Sequence, residues 1–138
     1  MSGSVVKVDH YSATIANKAG EGARILGALK ESGVNFIALW AYPSMPSKAQ
    51  LEMIPESGAA LVKAAKKAGL AVGKKQTAFF VNGEDGPGVV AESLAKLAAA
   101  RINVGAVQAV CAGAGRYGAI IFLPQKDVRK AAKALGVS

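Results

Sequence analysis

The sequence predicts an α+β fold built from two ferredoxin-like βαββαβ repeats, each an antiparallel sheet with its helices on one face. The first observation behind this prediction is a self-match at one offset of 68 residues, about half of the 138-residue chain. The second is that each half alternates strand-like and helix-like segments in the same order. A fixed offset is the signature of duplication, so we predict two domains, residues 8–74 and 75–138. The matching pairs are Gly20 with Gly88, Ala23 with Ala91, Leu26 with Leu94, Leu29 with Leu97 and Asn35 with Asn103.

The first half follows a lead-in over residues 1–7. Its first helix is amphipathic, with Ile25 and Leu29 on one face, and Gly33 is well placed to end it. β-Branched and aromatic side chains favour a strand directly after that helix. The predicted segments of this half are strands at 8–16, 34–42, 50–54 and 70–72, with helices at 21–32 and 57–68.

The second half repeats this order. Pro87 suits the first turn of a helix, because its missing N–H would have no partner there in any case. The predicted strands lie at 77–81, 102–111 and 119–123, and the helices begin after residues 86 and 124. Only Val137 and Ser138 remain for the final strand, which is very short, supplied by another segment, or absent.

The net charge of +8, from 17 Lys and Arg against nine Asp and Glu, raises the question of a nucleic-acid partner. Spacings of three and four residues place most of the clustered charge on single helix stripes, which is typical of solvated helix faces. The few aromatic residues are not interleaved with basic ones, as a stacking platform for single strands requires. Nucleic acid is therefore disfavoured as a partner. The clustered charges are Lys63, Lys66, Lys67, Lys126, Arg129, Lys130 and Lys133.

No catalytic constellation can be assembled from the sequence. Cys111, the only cysteine, is far from His10, the only histidine, so no nucleophile–base pair is indicated. We predict that Cys111 is a small buried hydrophobe and that His10 lies at the surface or at a strand edge. No Cys, His, Asp or Glu set has metal-ligand spacing, and we expect neither a metal nor a cofactor. The G-x-G-x-x-G at residues 113–118 precedes a strand rather than a helix, so it is interpreted as a hairpin turn.

Targeting signals are not evident in the sequence. No apolar h-region follows the first residues, and no uninterrupted apolar run has the length that a membrane helix needs. A single cysteine excludes an internal disulfide. These features predict a cytoplasmic protein without a membrane partner.

Two turns, with the helices that they open, resemble the ACT-domain family. The first copy reads Asn17-Lys18-Ala19-Gly20 and ends in Gly33-Val34-Asn35, and the second reads Gly86-Pro87-Gly88 and ends in Ile102-Asn103-Val104. The resemblance covers both halves and identifies the chain as similar to tandem ACT-domain proteins. It implies a small regulatory module that binds amino acids between two ACT units placed side by side. In the family, the turn after the first strand and the start of the second strand line that site.

Carried over residue by residue, the resemblance implies six ligand-binding residues. Amide side chains offer both donors and acceptors to a zwitterion, and amides at a helix N-terminus can take a carboxylate. The two copies differ, because Ala19 replaces the usual proline in the first turn and Asp85 replaces the amide in the second. Alternatively, the polar residues only cap turns or end helices. The implied residues are Asn17, Gly20, Asn35, Asp85, Gly88 and Asn103.

The resemblance implies a non-enzymatic protein that binds an amino acid or similar small ligand, forms a homodimer and acts on a regulated partner protein. Two alternatives stay open: a basic ferredoxin-like RNA-binding protein, and a dimerisation module without a ligand. RNA is disfavoured because the central strands offer few exposed aromatic residues. The sheet face away from the helices is expected to be apolar and covered by another unit or subunit. Four residues could line an apolar pocket, although a core or dimer-interface role is favoured: Trp40, Tyr42, Met45 and Met53.

Overall fold

The computed structural model describes residues 3–137, which fall into two compact units. The first unit is Asp9–Gln76, and the second combines the chain up to Val8 with the chain from Thr77 onward. The elements in chain order are β1 (Gly3–Ala16), α1 (Glu21–Glu31), β2 (Phe36–Met45), β3 (Lys48–Pro55), α2 (Gly58–Ala68), β4 (Gln76–Glu84), α3 (Val89–Ala99), β5 (Ala106–Gly113), β6 (Arg116–Phe122), a 3-10 turn (Gln125–Asp127) and α4 (Val128–Leu135). Strand β1 therefore contributes to both units. The predicted domain boundaries, 8–74 and 75–138, stay a prediction.

The first unit is an antiparallel sheet in the order β2-β3-β1, with α1 and α2 on one face. Successive strand residues point to opposite faces, and only one set of alternating residues enters the core. Leu29, Met53 and Leu61 are completely buried there. The core comprises Tyr11, Ala13, Ile15, Ile25, Leu29, Ala49, Leu51, Met53, Leu61 and Ala64.

The fourth strand that was predicted at residues 70–72 is wrong, because the chain after α2 is not in a strand. Leu70 and Val72 still pack against the core of the first unit. The amide of Gly73 donates to the carbonyl oxygen of Ser12 at 2.8 Å. A single backbone bond of this kind holds the segment beside β1 without the repeated ladder that defines a strand.

The second unit repeats the plan, with strand order β1-β4-β6-β5 and both α3 and α4 packed on one face. The position of the missing last strand is taken by the first part of β1. Val5 packs against the core, and the Asn82 side-chain amide donates to Ser4 Oγ at 2.8 Å. The final strand is thus supplied by another segment. The lead-in predicted for residues 1–7 is wrong for residues 3–7, and residues 1 and 2 lie outside the described part.

The two units open and close their first helices in the same way. Gly20 and Gly88 precede α1 and α3 in the left-handed conformation, with φ of 88° and 80°. At the other ends, Gly33 and Arg101 occupy equivalent left-handed positions, with φ of 79° and 59°. Such a position suits glycine, and a residue with a Cβ adopts it at a cost. The fold class predicted from the sequence, α+β with two ferredoxin-like repeats, is confirmed.

Candidate functional site

The first predicted turn lies between β1 and α1 and is anchored to a neighbouring hairpin. The amide of Asn17 donates to the carbonyl oxygen of Ser47, between β2 and β3, at 3.0 Å. Gly20 begins α1, and its carbonyl oxygen accepts from the Arg24 amide at 2.9 Å. Nothing lies within 4 Å of the position that a Cβ on Gly20 would take. Both Asn17 and Gly20 are exposed, so the turn offers a polar side chain and open backbone at a helix N-terminus.

The second predicted turn has the same backbone geometry. The amide of Asp85 donates to the carbonyl oxygen of Gly115, in the hairpin between β5 and β6, at 2.8 Å. Gly88 begins α3 and is also open where a Cβ would stand. Ser47 and Gly115 are themselves 68 residues apart. The two turns therefore have the same backbone geometry. They differ in the charge of their first residue, which is Asn17 in one and Asp85 in the other.

Within one unit, the structure does not bring the turn and the second-strand asparagine together. Ala16, which ends β1, lies opposite Lys48, and Phe36, which begins β2, lies opposite Pro55. These two positions are seven residues apart along β3, about 23 Å at roughly 3.3 Å per residue. Asn35 is exposed at the far end, where its carbonyl oxygen accepts from the Glu56 amide at 2.9 Å.

The second unit has the same separation. Glu84 lies opposite Arg116, and Ala106 lies opposite Phe122, so about 20 Å of β6 separates the Asp85 turn from the exposed Asn103. A ligand that contacts both a turn and a second-strand asparagine cannot take both from one unit.

A polar cluster that the sequence reasoning missed lies on the open face of the first unit, away from α1 and α2. The carboxylate of Glu52 accepts a hydrogen bond from His10 Nε2 at 2.6 Å and one from the Tyr42 hydroxyl at 2.8 Å. The Ser12 hydroxyl also donates to it. The His10 ring stacks on Trp40, with centroids 6.1 Å apart and planes 13° apart. We call these five residues the Glu52 cluster, and they join β1, β2 and β3 through side chains.

Hydrogen bonds from its neighbours favour the ionised form of the Glu52 carboxyl group. Glu52 is only 7% exposed, and its burial alone would raise the pKa of the carboxyl group. The bonds from Ser12, His10 and Tyr42 outweigh the burial and hold that pKa below its usual value. The same bond to Glu52, with burial, raises the pKa of the Tyr42 hydroxyl. The cluster is therefore a satisfied buried carboxylate, whose acceptor oxygens are already engaged by the protein.

Several predictions about this face are wrong. The open face of the first unit is mixed rather than wholly apolar, because the Glu52 cluster lies beside the completely buried Ile54. His10 lies in that hydrogen-bonded cluster, with its side chain only 14% exposed. Trp40 and Tyr42 belong to this polar face, whereas Met53 is in the core, as favoured, and Met45 is 59% exposed. The signal was present as a period of two: polar residues at 10, 12 and 14 alternate with apolar ones at 11, 13 and 15.

The open face of the second unit is apolar, as expected. Offset by 68 residues, the five positions of the Glu52 cluster hold no ionisable group. Ile120 takes the place of Glu52 and lies opposite Phe80 on one side and Gln108 on the other. The equivalent residues are Ala78 for His10, Phe80 for Ser12, Gln108 for Trp40, Val110 for Tyr42 and Ile120 for Glu52.

The structure also shows where the other sequence features that were considered as candidate sites lie. The glycine-rich segment at residues 113–118 forms the hairpin between β5 and β6, which confirms its interpretation as a turn. Cys111 is exposed rather than buried, because β5 lies at the end of its sheet. Across residues 3–137, no three His, Cys, Asp or Glu side chains are grouped to hold a metal ion. In the same range no helix has the length and apolarity needed to cross a membrane.

The fold of this chain is similar to that of several proteins of known structure. The sequence matches no family model and no curated protein sequence, but the structure is similar to several solved structures. A protein from Bacteroides thetaiotaomicron, 18% identical, superposes with a TM-score of 0.81 over 96% of this chain and 88% of the other. The regulatory subunit of aspartate kinase from Thermus thermophilus, in a ligand-free form and 17% identical, gives 0.63 over 97% and 94%. That from Thermus flavus, 18% identical, gives 0.60 over 99% and 95%.

The fold is ACT-like. The aspartate kinase subunits match it over nearly their whole lengths, so both units of the chain take part in the likeness. At these identities an ACT-like fold describes the backbone alone, and the chemistry of the two turns has to be argued from this chain's own residues.

Proposed function

We propose that the protein is a non-catalytic regulatory module of two ACT-like domains that binds an amino acid or a similar small ligand and works as a homo-oligomer on a partner protein. The observation that carries this proposal is the pair of equivalent turns. Each joins a polar residue, fixed by a backbone bond to a hairpin, to an open left-handed glycine at a helix start. The likeness to aspartate kinase regulatory subunits supports the regulatory part.

The chemistry of the first turn suits the carboxylate of an amino acid. Among the described residues, no side chain caps the N-terminus of α1, and the first amides of a helix favour an anion. Gly20 lets a ligand approach that backbone closely. The Asn17 side chain can donate to a carboxylate or accept from an ammonium group. We assign the first turn as the principal ligand contact.

We propose that the second turn favours a different charged group of the ligand from the first. The Asp85 carboxylate repels a ligand carboxylate and favours an ammonium group, although the open helix start at Gly88 is retained. Asn35 and Asn103 each lie about 20 Å or more from the turn of their own unit. In this proposal a ligand held at a turn does not also contact the asparagine of the same unit.

A thermal-shift panel of the common amino acids tests the proposal. A ligand present at roughly 100 times its Kd adds about 2.7 kcal/mol to the free energy of unfolding, which raises the melting temperature measurably. Asn17→Ala should abolish the shift, whereas Gln76→Ala, which removes an amide side chain outside both turns, should retain it. If no amino acid moves the transition of the wild-type chain, the ligand-sensing function is wrong.

A second candidate function, RNA binding, is favoured by one observation on the open face of the first unit. Tyr42 is 45% exposed there, and ferredoxin-like sheets that bind RNA stack bases on exposed aromatic side chains. The Glu52 carboxylate next to it repels phosphate and weakens this candidate. Binding to single-stranded RNA that falls steeply with salt, and that is lost in Tyr42→Ala, would establish it in place of ligand sensing.

A further inference from the structure

The net positive charge of the chain is concentrated on the second helix of each unit. Helix α1 carries two basic and two acidic residues, and its Arg24 pairs with Glu21 at 2.9 Å. In α3, Lys96 follows Glu92 by four positions, a spacing at which opposite charges attract. Helices α2 and α4 each carry three basic residues and no acidic one, which accounts for most of the net charge of +8. The six residues are Lys63, Lys66 and Lys67 in α2, and Arg129, Lys130 and Lys133 in α4.

Helices α2 and α4 end in the same way, which makes them comparable position by position. Each is followed by a left-handed glycine, Gly69 with φ of 72° and Gly136 with φ of 78°. The amide after each glycine donates to a carbonyl oxygen five positions back, at 2.8 Å in α2 and 2.7 Å in α4. Aligned on these ends, at an offset of 67 residues, two lysines of each helix coincide, and Arg129 stands where α2 has Val62. The coinciding lysines are Lys63 with Lys130 and Lys66 with Lys133.

The basic residues of α4 act against the stability of their own helix. Arg129 and Lys133 are four positions apart, where like charges destabilise a helix. The helix is only eight residues long, and its first turn has no side-chain cap, whereas Ser57 caps α2. Among the described residues, none places a carboxylate within salt-bridge distance of these two side chains or of Lys130. A local choice that opposes the fold in this way is expected at a functional surface.

The helix face of the second unit favours a protein carboxylate as the occupant. Arg129, Lys130 and Lys133 are all exposed, and such groups bind carboxylates or phosphates, with arginine able to form two parallel hydrogen bonds. Neither α3 nor α4 contains an aromatic residue on which a base could stack. In the part of the chain that the structure describes, none of the large apolar side chains that are exposed lies on these helices, so the face has nothing to insert into a membrane. The exposed residues of α3 are small or charged: Ala91, Glu92, Ala95, Lys96, Ala98 and Ala99.

We propose that the basic face of α4, defined as Arg129, Lys130 and Lys133, docks an acidic helix of the regulated partner protein. These residues span four positions, about 6 Å along the helix axis. Carboxylates three or four positions apart on a partner helix are separated by a similar distance, so two of them can meet this face together. The docking face belongs to the partner-protein part of the proposed function and does not depend on ligand binding.

A titration with an acidic peptide tests the docking face. The probe is an alanine-rich peptide of about 20 residues, long enough to form a helix in water, with glutamates at spacings of three and four. A matched peptide carries glutamine in place of every glutamate. NMR spectra of the isotope-labelled full chain, recorded without any amino acid, should show the backbone amides of α4 shifting with the glutamate peptide and not with the glutamine peptide.

Two double variants separate a specific face from general attraction to a basic protein. Lys130→Glu with Lys133→Glu should weaken binding of the glutamate peptide at least about tenfold. Lys63→Glu with Lys66→Glu lowers the net charge by the same amount at the equivalent positions of α2. It should change the affinity by no more than about twofold, because distant exposed charges are screened at physiological salt. A peptide with lysine in place of glutamate should bind the α4 double variant in preference to the wild-type chain.

Three results would overturn the docking face. The first is a glutamate peptide that leaves the amides of α4 unshifted, and the second is an equal loss of affinity in the two double variants. The third is tighter binding through α4 of single-stranded RNA, or of phosphatidylserine vesicles, than of the peptide. Circular dichroism shows whether the α4 double variant folds. If it does not, Lys130→Gln with Lys133→Gln replaces it, compared with Lys63→Gln and Lys66→Gln, and should still give the larger loss.

Failure of docking and failure of ligand sensing are distinguishable. The peptide titration contains no amino acid, so docking through α4 in a chain that shows no thermal shift would refute only ligand sensing. A thermal shift that Asn17→Ala abolishes, in a chain that does not bind the glutamate peptide, would refute only the docking face.

Discussion

The two units place different chemistry on equivalent open faces. On the helix side they match: Leu29 and Leu97 are both completely buried, as are Met53 and Ile121. On the open side, Glu52 holds a hydrogen-bonded cluster in the first unit where the second unit has Ile120. The difference teaches that packing against two helices restricts one face to apolar residues of similar size. The other face is free to change its chemistry without changing the fold.

Deleting residues 1–8 should give the largest loss of stability, and it should destabilise the second unit without destabilising the first. The second unit loses the strand that packs Val5 and bonds Ser4 to Asn82, so we expect a loss of several kcal/mol, a large part of the roughly 5–15 kcal/mol that a small domain has. Hydrogen exchange should show amides of α3 and α4 deprotected while those of α1 stay protected. Equal deprotection of α1 would contradict the assignment of residues 3–8 to the second unit.

Removing the Glu52 carboxylate, which the second unit lacks, should give the next largest loss of stability. Glu52→Leu leaves the donors on His10, Ser12 and Tyr42 without their acceptor, and we expect a loss of about 1–3 kcal/mol in urea unfolding. Gln50→Leu is the matched control on the same strand and face, since Gln50 accepts one hydrogen bond, from Thr14 at 3.1 Å. The Gln50→Leu variant should lose less stability than Glu52→Leu. Equal losses would show that the Glu52 cluster stabilises the sheet no more than a single side-chain hydrogen bond does.

The same cluster predicts a pH dependence with a definite sign. The pKa of Glu52 is lower in the folded chain than in the unfolded one. Its contribution to stability is therefore fully present above the unfolded value of about 4.3 and is lost as the pH falls through the folded value. Unfolding measured from pH 6 downward should show Glu52→Gln losing less stability on acidification than wild type. Parallel pH profiles would contradict the ionised cluster.

The smallest predicted effect lies at the ends of the first helices. Arg101 occupies a left-handed position, φ 59°, where the first unit has Gly33. Arg101→Gly should stabilise the chain by about 1 kcal/mol, and Gly33→Arg should destabilise it by a similar amount, because a Cβ is disfavoured there. Thermal unfolding of both variants provides the check. A stabilising Gly33→Arg would mean that the two positions are not equivalent.

The fold was largely predictable because its signals are local or periodic. The offset between Gly20 and Gly88 identified the duplication, and the alternation of apolar residues located most strands and helices. Pairing between distant segments was not predictable: the role of residues 3–8 beside β4 depends on a contact with residues more than 70 positions away. The exposure of Cys111 likewise follows from the terminal position of β5, which only the strand order determines.

The candidate site was predictable in part. Both turns form as expected, each with a left-handed glycine before its helix. Asn35 lies at the opposite end of the sheet from Asn17, which the predicted βαββαβ order already requires of two parallel strands joined by a helix. Only the distance between them needed the registers of β1 and β2 on β3. The Glu52 cluster was missed although its residues alternate plainly, because three strands must align before their side chains meet.

The most direct test of the account is an NMR titration of the wild-type chain with the amino acid that raises its melting temperature most. We predict that the backbone amides of Gly20 and Glu21, at the start of α1, shift first and saturate together with the Asn17 side-chain amide. Those of Gly88 and Val89, beside the acidic Asp85, should shift only at higher concentration or not at all. Saturating shifts confined to the open face around Glu52, with both turns unmoved, would contradict the assignment of the ligand to the turns.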